Sequence, residues 1–503
     1  MTARNAMVTP IAAATPRRVA PTPGSARADG GSVSTVRRLA PADRARLGLA
    51  ARVVLPPREQ AELVLPSGRQ DPVALLEQQA GSRIPELVPV RYGRMTVSPF
   101  AFFRGNAVGM AADLAAAPVS GLGVQVCGDA HLLNFGVFGS PERRLLFDIN
   151  EFDETIAGPW EWDVKRLVAS IAVAGRGNGF SRKHRGKAVL ETVRRYRDAS
   201  AEFGTMRALD VWFARADIDE VEQIMRNKVA SSRRRNVDQT LLKAPGSGNL
   251  KAFTKLCEMT DDGVRIKADP PLVVPIADLL PEARRQELET GIEAVLDLYR
   301  RSLPNELRTL LDQFEIVDVA RKVVGVGSVG TRCWIVLLRG RDDGDPLFLE
   351  LKEAGPSVLK SKVPAALRRR SAPCNEGERV VTGQRLMQAA SDIFLGWQRA
   401  DGIDGRTRDF YIRQLRDMKG SAAVEKMDPS GMTMYGQLCG WTLARAHARS
   451  GDRIALATYL NSDDAFPQAM VEYAEAYADQ NERDYQVFLN AIKSGRLEAV
   501  TGL

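Results

Sequence analysis

The first third of this chain contains no lysine: none occurs before Lys165 in a protein of 503 residues. An ammonium for an anionic ligand must therefore come from later in the sequence, and arginine is the only long cation ahead of that point. Histidine is nearly absent too, with three copies, and the five cysteines (Cys127, Cys257, Cys333, Cys374, Cys439) include no Cys-x-x-Cys pair. That excludes a zinc ribbon and a disulfide framework. Thiols scattered through apolar segments predict buried, reduced cysteines and a cytoplasmic protein. A metal in such a composition takes oxygen ligands, which points to magnesium. No apolar run reaches the roughly 18 residues of a membrane span, so no membrane partner is expected.

What is present bounds the organisation. A hydrophobic content of 44% supports a large core divided into lobes. Residues 1–55 are rich in Ala, Pro, Arg, Gly and Ser without periodicity and predict a disordered tail. Pro10 and Pro16 interrupt its only weakly apolar stretch, which argues against a secretory leader. Helical pattern starts near Pro57. The expected division is a large helical lobe over 56–315, a small β lobe over 316–420, and C-terminal helices over 421–503 that pack on the large lobe. The net charge of +8 suits an anionic ligand. The basic clusters Arg226–Lys228 and Arg233–Arg235 raise nucleic acid as a partner. No aromatics interleave them, so they read as a solvated face of an insertion over 165–315.

The most informative segment is Val126-Cys127-Gly128-Asp129-Ala130-His131-Leu132-Leu133-Asn134, followed by Leu145-Leu146-Phe147-Asp148-Ile149-Asn150. Taken singly, Asp129 and Asn134 are as readily turn formers. As a set, two carboxylates and an amide after strand-like runs suit phosphoryl transfer, which needs a proton acceptor and oxygen ligands for magnesium. A strand over Gly123–Cys127 is expected to deliver Asp129, and a hairpin partner over Arg144–Phe147 to deliver Asp148. Gly158-Pro159-Trp160-Glu161-Trp162-Asp163 follows, with an acid in the first turn of a helix. This order resembles the core of the aminoglycoside phosphotransferase and choline kinase branch of the protein-kinase-like superfamily. The resemblance implies that Asp129 is the catalytic base, Asn134 and Asp148 metal ligands, and His131 and Asp163 loop-ordering residues.

A kinase also covers and neutralises the nucleotide phosphates. Lys322 to Arg332 read as strand, Gly-rich turn and the start of a second strand, with Gly325, Gly327, Ser328 and Gly330 able to bring backbone N–H groups close to an anion. The strand Leu347–Ala354 then places Lys352 where a kinase keeps its phosphate-pairing lysine. The helix beginning at Glu376 is expected to carry the acid that pairs with Lys352; Glu376 and Glu378 are both candidates, Glu378 is counted in the cofactor-binding set, and Gln384 is a further polar possibility. Strand-like runs over Asp392–Trp397 and Asp409–Leu415 complete an expected five-stranded lobe. His447 closes the following long helix, complementing its dipole or packing on the lobe.

These parts stand in the wrong order for an ordinary kinase, because the Gly-rich turn and lysine follow the catalytic aspartate. The expectation is an α+β, protein-kinase-like two-lobe fold that is circularly permuted, which close surface termini allow. Phe102-Phe103-Arg104-Gly105, the Gly-Asp-Ala-His loop, Phe147 to Glu154, Gly383 to Gln388 and Tyr477 to Asp484 resemble the bacterial family known as domain of unknown function 2252. The resemblance spans about residues 60–500 and implies relatedness without a reaction.

The functional expectation is therefore an ATP- and magnesium-dependent phosphotransferase acting on a small hydroxyl acceptor. Nucleotidyl transfer by the same lobes and a non-catalytic nucleotide-binding scaffold are the alternatives. Glu151, Asp153 and Glu154 read as an exposed acidic loop, or as residues that tune the metals or bind a cationic substrate. Arg104 reads as a phosphate contact or a bridge between helices. The basic run Lys360–Arg370 leaves the start of the pairing helix open.

Overall fold

The architecture follows from two apolar patterns, one of period two in the later half and one of near-continuous burial in a central helix. The computed structural model describes residues 39–219, 249–261, 263–279, 281–323, 325–368, 373–401, 406–415 and 418–503. The basic clusters at 226–228 and 233–235 lie outside the described residues.

Period-two alternation builds a six-stranded antiparallel sheet. Its order is Gly396–Asp401, Thr407–Gln414, Pro346–Ala354, Cys333–Arg339, Glu315–Lys322 and Val273–Pro275. Leu347, Leu349 and Leu351 face a core made with Tyr299, Ile292 and Leu296 of the helix Glu282–Ser302. Phe348, Glu350 and Lys352 take the other parity, and Lys352 stands opposite Cys333 on one neighbour and Tyr411 on the other. The sheet has one strand more than expected and begins at Val273, well before 316. A three-residue strand just after Pro270-Pro271 carries too little pattern to be read from sequence.

The helical part is organised on Trp160–Gly177, nearly every residue of which is buried. Around it pack Arg182–Thr205, Pro429–Ser450 and Ala465–Lys493. Two small antiparallel pairings hold the loops of interest at one end of this core. Gly123–Val126 pairs with Ile156–Pro159, and Phe135–Gly139 pairs with Leu145–Ile149. The hairpin partner of the strand ahead of Asp129 is thus the one that leads into Trp160, in place of the expected Arg144–Phe147.

One tail expectation is corrected. Pro41–Val54 is a helix, where disorder was expected. Its stability is tertiary: Arg44 ion-pairs with Asp452 at 2.8 Å, Arg52 donates to the Tyr459 carbonyl at 2.6 Å, and Gly48 allows the backbone at Ala455 to approach. Among the described residues no helix is long and apolar enough to cross a membrane.

Candidate functional site

The Gly-Asp loop is fixed from behind by a buried polar chain. Asp163, at the start of the central helix, accepts hydrogen bonds from the N–H groups of Cys127 (2.8 Å) and Gly128 (3.0 Å). His447 Nε2 lies 3.2 Å from the same carboxylate, and its Nδ1 lies 2.8 Å from the Tyr196 hydroxyl. His447 is fully buried and therefore holds this loop from within the helical core. Gly128 has φ +83°, and a Cβ there would meet the Glu154 carbonyl at 2.3 Å, so only glycine fits.

The loop leaves Asp129 partly exposed, with its side chain 22% accessible. Arg166, stacked on the Phe103 ring at 3.8 Å, donates to Asp129 through Nε at 2.8 Å. His131 Nε2 is 3.7 Å from the other Asp129 oxygen, too far for a hydrogen bond. Burial pushes the His131 imidazole down to about 3 against the pull of Asp129, so the ring is neutral. Asn134 closes the loop: its amide donates to the carbonyls of Asp129 (3.0 Å) and Glu151 (3.1 Å), and its Oδ1 accepts from Glu151 N–H at 2.7 Å. One lone pair on that oxygen is left.

Asp148 does not reach the surface beside Asp129. Its side chain is 1% exposed and ion-paired with Arg445 at 2.6 Å. The same carboxylate also accepts from the N–H groups of Ile149 (2.9 Å) and Ala389 (2.8 Å). Asp148, expected as a metal ligand, lies instead inside the core with its side chain almost wholly buried against Arg445.

The carboxylate that meets Lys352 is Asp153. The ammonium donates to Asp153 Oδ2, and the Tyr411 hydroxyl donates to Oδ1 at 2.9 Å. The Lys352 side chain is 2% exposed and that of Asp153 27%. Burial opposes the ammonium, but Asp153 beside it prevails and holds the lysine charged well above its usual range. Burial likewise opposes the Asp153 carboxylate, yet Lys352 holds it below the ordinary range.

Neither glutamate of the helix Glu376–Met387 touches this lysine, which corrects the assignment of Glu378 and its alternative Glu376. Glu378 accepts from Cys374 N–H at 2.5 Å, while its own N–H donates to the Asn375 side chain at 2.7 Å, a cap of the helix start. Glu376 pairs with Lys360 (2.6 Å) and Arg379 (2.5 Å). What that helix sends to the Asp153 loop is Arg379, which donates to the carbonyls of Asp153 (2.8 Å), Thr155 (2.7 Å) and Gly355 (2.8 Å). Gln384 donates to Gln388, which in turn donates to the Ile149 carbonyl at 2.6 Å. Arg413 joins the sheet to the same loop, pairing with Glu350 at 2.9 Å and donating to the Asn150 carbonyl at 3.2 Å.

The Gly-rich turn docks on the helices that precede the Gly-Asp loop. Arg94 donates to the Gly325 carbonyl at 2.6 Å, Ile84 N–H to the Gly330 carbonyl at 2.8 Å, and Arg83 to the Val329 carbonyl. Val326 packs with Tyr92, Met95 and Phe102, and Val329 with Leu87 and Val90. Gly325 and Gly330 have φ of +60° and +89°. The N–H groups of Gly327 and Ser328 have no acceptor among the described residues. Carbonyls of this turn thus bond to the preceding helices, while the amides at its tip are left without a described acceptor.

A family model described as "Uncharacterized protein conserved in bacteria (DUF2252)" matches residues 83–491. The chain belongs to this family. No curated protein and no solved structure matches it. The DUF2252 match encloses Arg83, Asp129, Asp153, the Gly-rich turn and Lys352, so all of these lie within one family unit. Sequence reasoning missed Arg166, Arg379, Tyr411 and Arg413. Tyr411 and Arg413 had one signal, since strand parity puts both on the face of Lys352. Arg166 and Arg379 lie in helices and carried none. In this DUF2252 chain no three His, Cys, Asp or Glu side chains among the described residues form a metal-chelating group.

Proposed function

We propose that this protein is an ATP- and magnesium-dependent phosphotransferase with a kinase-like, circularly permuted arrangement of lobes. The single observation that carries this reading is the meeting of Lys352, from the later sheet, with Asp153, on the loop that follows Asp129 and Asn134. A buried ammonium, a carboxylate beside it and a second carboxylate on a glycine-set loop are the parts that phosphoryl transfer needs. Magnesium usually keeps several waters and is held by one or two carboxylates plus substrate phosphates. Asp153 and the remaining lone pair of Asn134 would hold it, and bound there it would neutralise phosphate charge.

The chain's own groups divide the remaining work. The amides of Gly327 and Ser328 cover the phosphates, and Lys352 pairs with them. Asp129, steadied by Arg166, accepts the proton of the acceptor hydroxyl as its oxygen bonds to the γ-phosphorus. The bond from that phosphorus to the bridging oxygen breaks, and the electron pair leaves with ADP. Glu151, exposed on the same loop, adds negative charge to the acceptor side.

Thermal unfolding with ATP, with and without magnesium, is the first measurement. Magnesium-dependent stabilisation by ATP is the expected result, and none with any nucleotide would overturn the reading. Transfer of label from γ-labelled ATP distinguishes phosphotransfer from nucleotidyl transfer, which moves the α-label. Binding with neither transfer across a broad panel of acceptors would favour a nucleotide-holding scaffold.

A further inference from the structure

Most of the cations named above are matched by an acid. Lys352 is paired with Asp153, Arg166 with Asp129, Arg413 with Glu350 and Arg379 with Glu376. Arg104 is not. It ends the helix Pro99–Gly105, and among the described residues its side chain has no hydrogen-bond or ion-pair partner. Its Nε is buried and unsatisfied. The residue is half-buried, and with no partner among the described residues its terminal N–H donors are available to an anion.

The place of Arg104 says which anion. The Arg104 carbonyl lies 3.5 Å from where a Cβ on Gly327 would stand, so the residue sits against the tip of the Gly-rich turn. Its neighbour Phe103 carries the ring on which Arg166 stacks and the carbonyl to which Arg166 donates at 2.8 Å, and Arg166 in turn holds Asp129. The acids whose charge bears most on Arg104 are Glu151 and Asp129. Arg104 thus has its backbone against the Gly-rich turn and its side chain within electrostatic reach of Asp129 and Glu151. Arg83, buried with its own Nε unsatisfied, supports the same turn from its other end through the Val329 carbonyl.

We propose that Arg104 binds the γ-phosphoryl group of the nucleotide, a cation supplied in cis by the helices that precede the Gly-Asp loop. The inference rests on the phosphotransferase reading above. A guanidinium matches phosphate oxygens with two parallel N–H donors and stabilises charge on the group in transit.

The test uses the full-length protein with magnesium and either ATP or ADP as the probe, measured by calorimetry. The wild type is expected to bind ATP at least about tenfold more tightly than ADP, the scale of one charge-assisted hydrogen bond. Arg104→Ala should abolish that preference while leaving ADP affinity within about twofold, and Arg104→Lys should keep part of it. Arg104 holds no other described residue, so the unliganded melting temperature of both variants should match the wild type. If the wild type binds neither nucleotide, the phosphotransferase reading falls and this inference with it. If the wild type binds both but shows no ATP preference, or Arg104→Ala keeps the preference, the inference alone falls.

Discussion

Lys352 and Asp153, separated by 199 positions in the chain, form a salt bridge in which the lysine side chain is almost wholly buried. Removing one partner of such a pair leaves an uncompensated charge. Lys352→Met is expected to lower stability by about 3 kcal/mol. Asp153→Asn should lower it as well, and the double variant should cost clearly less than the sum of the two. Urea unfolding of all three variants gives the coupling, and strict additivity would show that the contact carries no energy. In the same set, Lys352→Met should abolish the stabilisation conferred by magnesium and ATP.

Asp148 and Arg445 make the second buried pair that bears on the site. Asp148→Asn is expected to destabilise the fold by about 3 kcal/mol. The magnesium concentration giving half-maximal nucleotide stabilisation should stay at its wild-type value. Asp153→Asn should raise that concentration. The reverse pattern would restore Asp148 as the metal ligand.

Asp129→Asn keeps the shape of the loop and removes the proton acceptor. Once an acceptor is in hand, turnover should fall by roughly 10²–10⁴-fold. Nucleotide affinity should hold at the wild-type value. A rate within threefold of wild type would remove Asp129 from the reaction.

Acid stability should carry the signature of His131. An unfolded histidine titrates near pH 6.5, whereas burial pushes this ring down to about 3. Between those values the unfolded chain binds a proton that the folded chain does not, so stability falls as the pH is lowered from about 6.5 towards 3. His131→Asn should flatten that slope, measured as urea midpoints at pH 7 and pH 5. An unchanged slope would mean that the ring is charged in the fold.

The parts of the site read most surely from sequence are those set by local chemistry. Gly128, Asp129 and Asn134 lie in one short loop, and Lys352 follows from strand parity. The acids of Phe147 to Glu154 show why the rest was illegible. Asp148, Glu151, Asp153 and Glu154 are near neighbours, and which one meets the lysine depends on Arg445, which claims Asp148 from 297 residues away. Glu376 and Glu378 gave the same difficulty, since an acid in a first helical turn serves as a cap as readily as a partner for a distant lysine. The helix Pro41–Val54 was invisible because its Ala- and Arg-rich sequence has a weak apolar stripe and is held by Asp452 and Tyr459.

The early loops of this protein are completed by side chains synthesised much later: Lys352 for Asp153, Arg445 for Asp148, His447 for Asp163. While the chain is being made, Asp148, Asp153 and Asp163 emerge from the ribosome with these partners still untranslated. Such long-range closure slows folding and exposes incomplete intermediates to aggregation. A polypeptide ending before the lysine strand should therefore be recovered as aggregate or degraded, and supplying the missing half as a separate chain is the route by which it would become soluble.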